Sequence, residues 1–443
     1  MEECIHLPFL IVGQLGSHQC RQNPHLHPTF EISPLEIFIG RDSAGSTYLH
    51  DALILAIPHI HRLRSLTVGG DILPSALERF NVQTPLLEKL EIGITALSAP
   101  TLDSTLFKRR LLSLRELSLG GVVISLPWGN LPNLTTFKLA SCPPGPGFVT
   151  KLLNFFKCAP LLHTIVLDYS IPKSSDAPPG RIVPLPHLKT IGITADSGHI
   201  ILLNHLCIPT GVSLTLRLSS NSLTSPPQEF LPETIANLNN LSGITTIHIL
   251  LGEMRKYTRL SGPSGELNIL IRLINHSILR QIVDCRILCS PGPHFLSMVQ
   301  RLVVSEYEPP KPAHVERSSL FQTLSSMGKL CALVLTECYN LPFILNLNPE
   351  KNPSKLVLCP ALEELTLYIK SHVQLYIKDF LDTVKERALR GAKLASITIV
   401  GLDGLKPAEE SFSLKEYVTR VDYRIEDTPP RWDHLPREYA DEK

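Results

Sequence analysis

The residues of this chain best suited to chemistry lie near its start: Cys4, His6, His18, Cys20, His25 and His27. Thiolate and imidazole are the usual zinc donors, and Cys4-x-His6 with Cys20…His25-x-His27 would supply four of them. No regular ligand pairing organises them, so the reading is a polar segment without a metal. Cys285-x3-Cys289, with Cys331 and Cys338, offers a second thiol group. These cysteines sit among apolar residues and read as small core side chains. Acid–base chemistry needs converging carboxylates. Glu363 and Glu364 are strand neighbours pointing to opposite faces or splaying apart, and they read as a solvated pair. In Ser261-Gly262-Pro263-Ser264-Gly265 the proline makes a turn, not a nucleophile elbow. No phosphate loop, dinucleotide fingerprint or His-Glu-x-x-His helix occurs. The expectation is a protein without enzymatic activity, cofactor or metal.

Composition narrows the classes further. The 443 residues hold 42 Lys+Arg against 41 Asp+Glu, a net charge of +1. That balance disfavours a general nucleic-acid binder, which usually carries a basic excess. Apolar residues make up 43% and charged residues 19%, so there is material for a large core. The 37 prolines imply many short, punctuated elements. The N-terminus MEECIHLPFLIVGQLG lacks the basic start of a signal peptide. No apolar run reaches the ~18 residues of a membrane helix. Ten scattered cysteines read as reduced thiols. The expected location is therefore cytoplasmic or nuclear, where the Asn-x-Ser/Thr triplets at Asn133, Asn240 and Asn275 stay unmodified.

The elements that would position any functional side chain are set by one recurring pattern, Leu-x-x-Leu-x-Leu. It runs through Leu63/Leu66/Val68, Leu87/Leu90/Ile92, Leu114/Leu117/Leu119, Leu134/Phe137/Leu139, Leu162/Ile165/Leu167 and Leu188/Ile191/Ile193. It resumes at Ile244/Ile247/Ile249, Val299/Leu302/Val304, Leu330/Leu333/Leu335, Leu362/Leu365/Leu367 and Leu394/Ile397/Ile399, with Leu214/Leu216/Leu218 as a degenerate copy. The early copies start roughly 20–28 residues apart, the period of leucine-rich repeats. Alternation buries two side chains of each strand and turns their neighbours outward. Stacked copies then form parallel strands over a leucine column. The predicted fold is an α/β leucine-rich-repeat-like solenoid, or horseshoe, with strands on the concave face and irregular helices and loops on the convex face. Three residues past each motif, a small polar group is expected to bond loop backbone: Asp71, Thr95, Cys142, Ser170, Asp196, Asn221 and Cys338, with Val122, Gly252, Lys370 and Leu402 as exceptions.

Between strands, three- and four-residue apolar steps predict helices over Tyr48–Ile57, Ser75–Phe80, Phe148–Phe156, His199–Leu206, Phe230–Leu241 and Gln374–Arg390. The last carries a stripe of Ile377, Phe380, Leu381, Val384 and Ala388 and stops at Gly391. Leu126–Pro132 and Pro172–Pro184 read as loops, and 251–298 as extra strands or an excursion. The domain plan is an irregular appendage over 1–33, the array over 34–405, a cap over 406–426 and a mobile tail over 427–443. Leu35–Ile39 is the first strand and Val418–Ile425 the last.

From Pro58 to Trp432 the chain resembles the repeat region of basidiomycete (fungal) F-box/leucine-rich-repeat proteins. The phrases LLNFFKCAPLLHTIVLDYSIPKSSDAPPGR, RLSGPSGELN, TECYNLPFILNLNPEKNPSKLVLCPALEELTLYI and KERALRGAKLASITIVGLDGLKPAEESFSLKEYVTRVDYRIEDTPPRWD carry the resemblance. It implies a ubiquitin-ligase substrate receptor, in which an F-box docks an adaptor–cullin ligase and the repeats hold a target protein. Leu7-Pro8-Phe9-Leu10-Ile11 imitates the opening of an F-box, but Gly13, Gly16, Pro24 and Pro28 interrupt any helical bundle. An intact F-box is therefore not expected in residues 1–33.

Outward strand positions are the candidate partner-binding residues: Arg64, Thr67, Glu88, Glu91, Arg115, Ser118, Thr136, Lys138, Thr164, Lys189, His248, Arg301, Glu364 and Thr366. Both charges mixed with hydroxyls suit a protein epitope better than an anionic polymer. The sequence reads as a non-catalytic protein-binding module for an unknown target, with neither nucleic acid nor membrane as partner. The alternative is a truncated structural relic with no ligase recruitment and no partner.

Overall fold

A strand that buries alternate side chains leaves those between them outside, so the leucine spacing dictates local structure before any long-range contact forms. In the computed structural model every triplet named above is buried. The structure describes residues 35–39, 57–70, 83–94, 101–102, 111–124, 130–169, 171, 176–195, 198–219, 231–232, 236–251, 255–272, 296–306, 317–336, 344, 346–352, 354–369, 377–402 and 414–426. Several expectations fall outside them: the 1–33 and 427–443 segments, Ser75–Phe80, Tyr48–Ile57 up to its last residue, Cys285 and Cys289. The polar positions Asp71, Thr95, Ser170, Asp196, Asn221 and Cys338 also lie outside. The chain divides into two compact units, residues 1–218 with 234–240, and residues 219–233 with 241–443.

The strands of the first unit are β1 (Leu35–Ile39), β2 (Leu63–Gly70), β3 (Lys89–Ile94), β4 (Thr101–Leu102), β5 (Glu116–Gly120), β6 (Val123–Ile124), β7 (Thr136–Ala140), β8 (Thr164–Asp168), β9 (Val183–Pro184), β10 (Thr190–Ala195), β11 (Leu206–Cys207) and β12 (Val212–Ser219). The order β1-β2-β3-β5-β7-β8-β10-β12 is parallel throughout. The two-residue strands pair off separately, β4 with β6 and β9 with β11.

One hydrogen-bond pattern repeats from coil to coil. The carbonyl just after the first motif leucine accepts two N–H groups of the next coil. Glu88 O accepts from Arg115 (2.7 Å) and Glu116 (2.9 Å), and Thr135 O from His163 (2.8 Å) and Thr164 (2.9 Å). Among the described residues, in seven copies a further buried apolar residue three places before the first motif position closes a turn onto it: Leu111, Leu131, Ala159, Leu185, Leu296, Met327 and Cys359. The apolar motif is thus longer at its front end than the triplet.

Strands β2, β5, β7 and β8 exit through a left-handed residue two places past the last motif leucine: Gly70 (φ 115°), Gly121 (φ 64°), Ser141 (φ 53°) and Tyr169 (φ 50°). At Gly121 a Cβ would lie 2.0 Å from the Ile94 carbonyl oxygen, so only glycine fits. This exit swings the next residue inward, where Val122 and Cys142 are buried. The Cys142 thiol donates to Leu119 O at 3.5 Å, as expected of the small polar position. Tyr169 adopts the same conformation at a Cβ penalty of about 1 kcal/mol. Its ring is largely exposed. Tyr169→Gly is expected to raise stability by about 0.5–1 kcal/mol in urea denaturation; a decrease would show that the exit turn is held by the ring.

Helix α1 (Phe148–Cys158) buries Phe148, Val149, Leu152, Leu153, Phe155 and Phe156. The Thr150 N–H in its first turn donates to the Asp176 carboxylate (3.2 Å), the favoured charge at a helix N-terminus. The helix expected over His199–Leu206 is shorter, α2 (His199–Leu203), because Leu206 and Cys207 leave to pair with β9. No α-helix forms over the described part of Phe230–Leu241. Leu238 bridges to Ile208 instead, and a 3-10 turn, Asn239–Leu241, closes the segment.

The second unit contains β13 (Thr246–Leu251), β14 (Arg255–Gly262), β15 (Gly265–Arg272), β16 (Arg301–Glu306), β17 (Ala332–Thr336), β18 (Glu364–Ile369), β19 (Ser396–Leu402) and β20 (Arg420–Glu426). Their order is β15-β14-β13-β16-β17-β18-β19-β20. The excursion expected after residue 251 includes an antiparallel hairpin, β14–β15, turning at Pro263 and Ser264 and paired antiparallel to β13. From β13 onward through β16 to β20 the pairing is parallel. The last strand begins at Arg420 rather than Val418, whose side chain is buried.

Two helices complete the described part of this unit, α3 (Arg317–Ser326) and α4 (Ile377–Leu389). Helix α4 ends in a Schellman turn: Gly391 (φ 81°) donates to Ala388 O and Ala392 to Arg387 O. Of the expected stripe, Phe380 and Val384 are buried, Leu381 and Ala388 are half-buried, and the Ile377 side chain lies outside the described part. The stripe continues through Arg387, only 1% exposed. Its guanidinium donates to Leu358 O (2.6 Å) and Cys359 O (3.0 Å). Arg390 donates to Lys355 O (2.9 Å), Thr383 to Ile344 O (3.3 Å), and the pairs Lys351–Asp379 and Glu350–Arg390 hold the segment before β18 against the helix.

Burial pushes the Cys359 thiol from its ordinary 9.0 up to about 12, against a smaller opposite pull from Arg387. Burial likewise pushes Tyr257 from 10.0 to about 12. A raised folded-state pKa favours the neutral form, so both contributions are complete below about pH 9 and fade as pH climbs toward 12. Far-UV circular dichroism is expected to show destabilisation starting above about pH 9. A flat profile to pH 11 would contradict these burials.

Candidate functional site

Register arranges the outward side chains of the first unit into rows that cross the strands. One row, ahead of the second motif position, runs Glu36, Ser65, Lys89, Glu116, Thr136, Thr164, Thr190, Ser213. The next runs Phe38, Thr67, Glu91, Ser118, Lys138, Val166, Gly192, Thr215. A third is nearly bare at first, Gly69, Gly93, Gly120 and Ala140, and then carries Asp168, Thr194 and Arg217. Of the ten expected residues from Arg64 to Lys189, Thr67, Glu91, Ser118, Thr136, Lys138 and Thr164 stand in these rows, Arg64, Glu88, Arg115 and Lys189 stand one place ahead of the first row, and all are exposed or half-exposed. Neighbouring strands are about 4.8 Å apart, so each row is a line of closely spaced groups on a rigid backing.

The charges are partly consumed within the face. Arg64 pairs with Glu88 at 3.1 Å and Lys89 with Glu91 at 3.4 Å, both in partly exposed settings that contribute little to stability. Farther along, hydroxyls take over. Thr190 donates to Thr164 (3.2 Å), and Thr194 to the Asp168 carboxylate (2.5 Å). Lys89, Glu116, Thr190 and Ser213 belong to the first row yet are absent from the sequence-derived set. Counting one place back from each second motif leucine would have found them.

His248, Arg301, Glu364 and Thr366 belong to the second unit, where the outward face differs. Arg301 and Glu364 are exposed, and His248 and Thr366 half-buried. Between them, outward Val303, Ala332 and Val334 are each only 7% exposed. On β16 and β17 these outward places are therefore shielded, while Arg301 stays exposed. Those apolar side chains, in places where the first unit carries Glu, Lys and Thr, are the sequence signal for this. On the hairpin, Tyr257 donates to Asn268 Oδ1 (2.7 Å), Asn268 to Glu266 Oε1 (3.4 Å), and Arg259 to Glu266 Oε2 through Nε (3.1 Å) and Nη2 (2.7 Å). The bonds from Tyr257 and Arg259 join the two strands of the hairpin to one another.

No protein-family model and no curated protein matches the chain.

Among the described residues no group of His, Cys, Asp and Glu is placed to hold a metal ion. Glu363 and Glu364 are both exposed, and Cys331 donates its thiol to Gln300 O (3.2 Å). The N-terminal His/Cys group lies outside the described residues. Among the described residues, no helix is long and apolar enough to cross a membrane.

Proposed function

We propose that the chain is a non-catalytic protein-binding module of leucine-rich-repeat type, receiving a target protein on the outward strand face of its first unit. The observation that carries this reading is the alternation itself. Every second strand residue is locked into the core, so the residues between are presented by a backbone that need not order on binding. Mixed charges, hydroxyls and bare glycines on that face favour a protein surface over a uniform polyanion. The further step, that the target is a substrate delivered to a ubiquitin ligase inside the cell, is supported by the resemblance of the repeat phrases to fungal F-box proteins. Co-purification of adaptor and cullin with the full chain tests that step separately.

The binding reading is tested by proximity labelling with the wild-type chain and with Arg64, Glu91, Arg115 and Lys138 changed together to alanine. Loss of about 0.5 kcal/mol or more at each position is expected to lower labelling of specific partners at least tenfold. Equal labelling by both forms would remove this face as the contact surface.

A further inference from the structure

We propose that the part of this face between β5 and β10 recognises one chemical class of partner, an extended acidic polypeptide segment crossing the strands. The proposal rests on the protein-binding reading above. Among the described residues, the exposed side chains of Arg115, Lys138 and Lys189 make no ion pair. They surround a hydroxyl floor that includes Thr164 and Thr190. Arg115 and Lys189 occupy the same place in their coils. The carbonyl series Arg115, Thr135, His163 links them through successive N–H bonds, 2.9 Å to Thr135, 2.8 Å to His163 and 2.8 Å to Lys189. Three strand spacings separate them, about 14 Å. An extended chain covers that distance in about four residues. Carboxylates at positions i and i+4 of such a chain share one face and reach both cations. Lys138, about three residues farther along β7, stands on the other side of the floor and limits the segment's path.

The floor has an open point at Gly192, where a Cβ would meet nothing within 4 Å and the backbone is not left-handed. A partner backbone can approach there, and a side chain can be introduced without strain. Glu116, in register with Thr136, and Asp168, in register with Ala140 and bonded by Thr194, interrupt the cationic field. A peptide with spaced acids passes these carboxylates, whereas a continuous phosphate chain meets repulsion from them.

The test is fluorescence anisotropy with a labelled peptide carrying glutamate at every fourth position and Ser/Gly between. A lysine counterpart and an oligouridine strand serve as comparisons, and the protein is the full chain. The glutamate peptide is expected to bind at least tenfold more tightly than the lysine peptide and to weaken with salt. The double variant K138E/K189E should lose at least tenfold. Gly192→Lys should tighten binding several-fold and Gly192→Glu weaken it, a reversal of sign that a merely structural effect cannot produce. Equal binding of both peptides, no binding of either, the same loss from both Gly192 variants, or tighter binding of oligouridine would each overturn the proposal. If the glutamate peptide fails while the fourfold alanine variant still loses its labelled partners, the acidic class falls and the protein-binding reading stands. If that variant also labels normally, both fall.

Discussion

Arg387→Ala will destabilise the second unit by about 3–5 kcal/mol, through a buried carbonyl that loses its donor and a large cavity left in the core. The side chain is the largest fully buried one in the described core, and it donates to two consecutive carbonyls, Leu358 and Cys359. Alanine leaves Leu358 O buried without that donor, at about 1–3 kcal/mol, and opens a cavity beneath α4, whereas Cys359 O keeps the Leu362 N–H. Burial already works against the guanidinium's charge and lowers its pKa, so the bonds are compensating a real desolvation cost. Hydrogen–deuterium exchange should show lost protection in α4, β18 and β19, with the first unit unchanged. Arg387→Lys, which keeps the charge but not the fork, should cost roughly half as much. A loss under 1 kcal/mol for alanine would mean that the carbonyls find water and that the clamp is incidental.

Phe137→Ala should have a comparable effect in the first unit, about 3–5 kcal/mol. Phe137 takes a leucine place in β7, and its ring lies 4.4 Å from that of Phe155 and 6.1 Å, edge-on, from that of Phe156. The three rings join strand to helix, so truncation loses transfer energy and aromatic packing together. Phe137→Leu restores the repeat consensus and should recover about half. Exchange protection is expected to fall in α1 and β7 and to stay constant in the second unit. A spread of the loss into the second unit would show that the units unfold as one.

Much of the scaffold was legible because the leucine triplets state both strand position and strand face. Leu35–Ile39 and the turn at Pro263 were readable for the same reason, as alternation bounded by breakers. Arg387 was legible by place but not by type: it lies three and seven residues beyond Val384 and Phe380, on the buried side of the helix. The left-handed conformations of Ser141 and Tyr169 carry no mark in the residue names, since both types normally avoid them. Helix α3 was missed because its serines and threonine blur the apolar period. At the candidate site, the outward set was legible in the first unit. In the second, Val303 and Val334 stood in plain view as apolar residues in outward places, but their burial is a property of the folded unit that the local pattern does not state.

The β14–β15 hairpin also bears on the order in which the second unit assembles. Its partners lie close along the chain, whereas parallel partners such as Leu333 and Leu365 are separated by a whole coil. Closing the hairpin forfeits little chain entropy, and β13 joins it through another antiparallel pairing. A three-strand nucleus can therefore exist before any coil is complete, offering the β13 edge as a template onto which β16 and its successors zip one at a time.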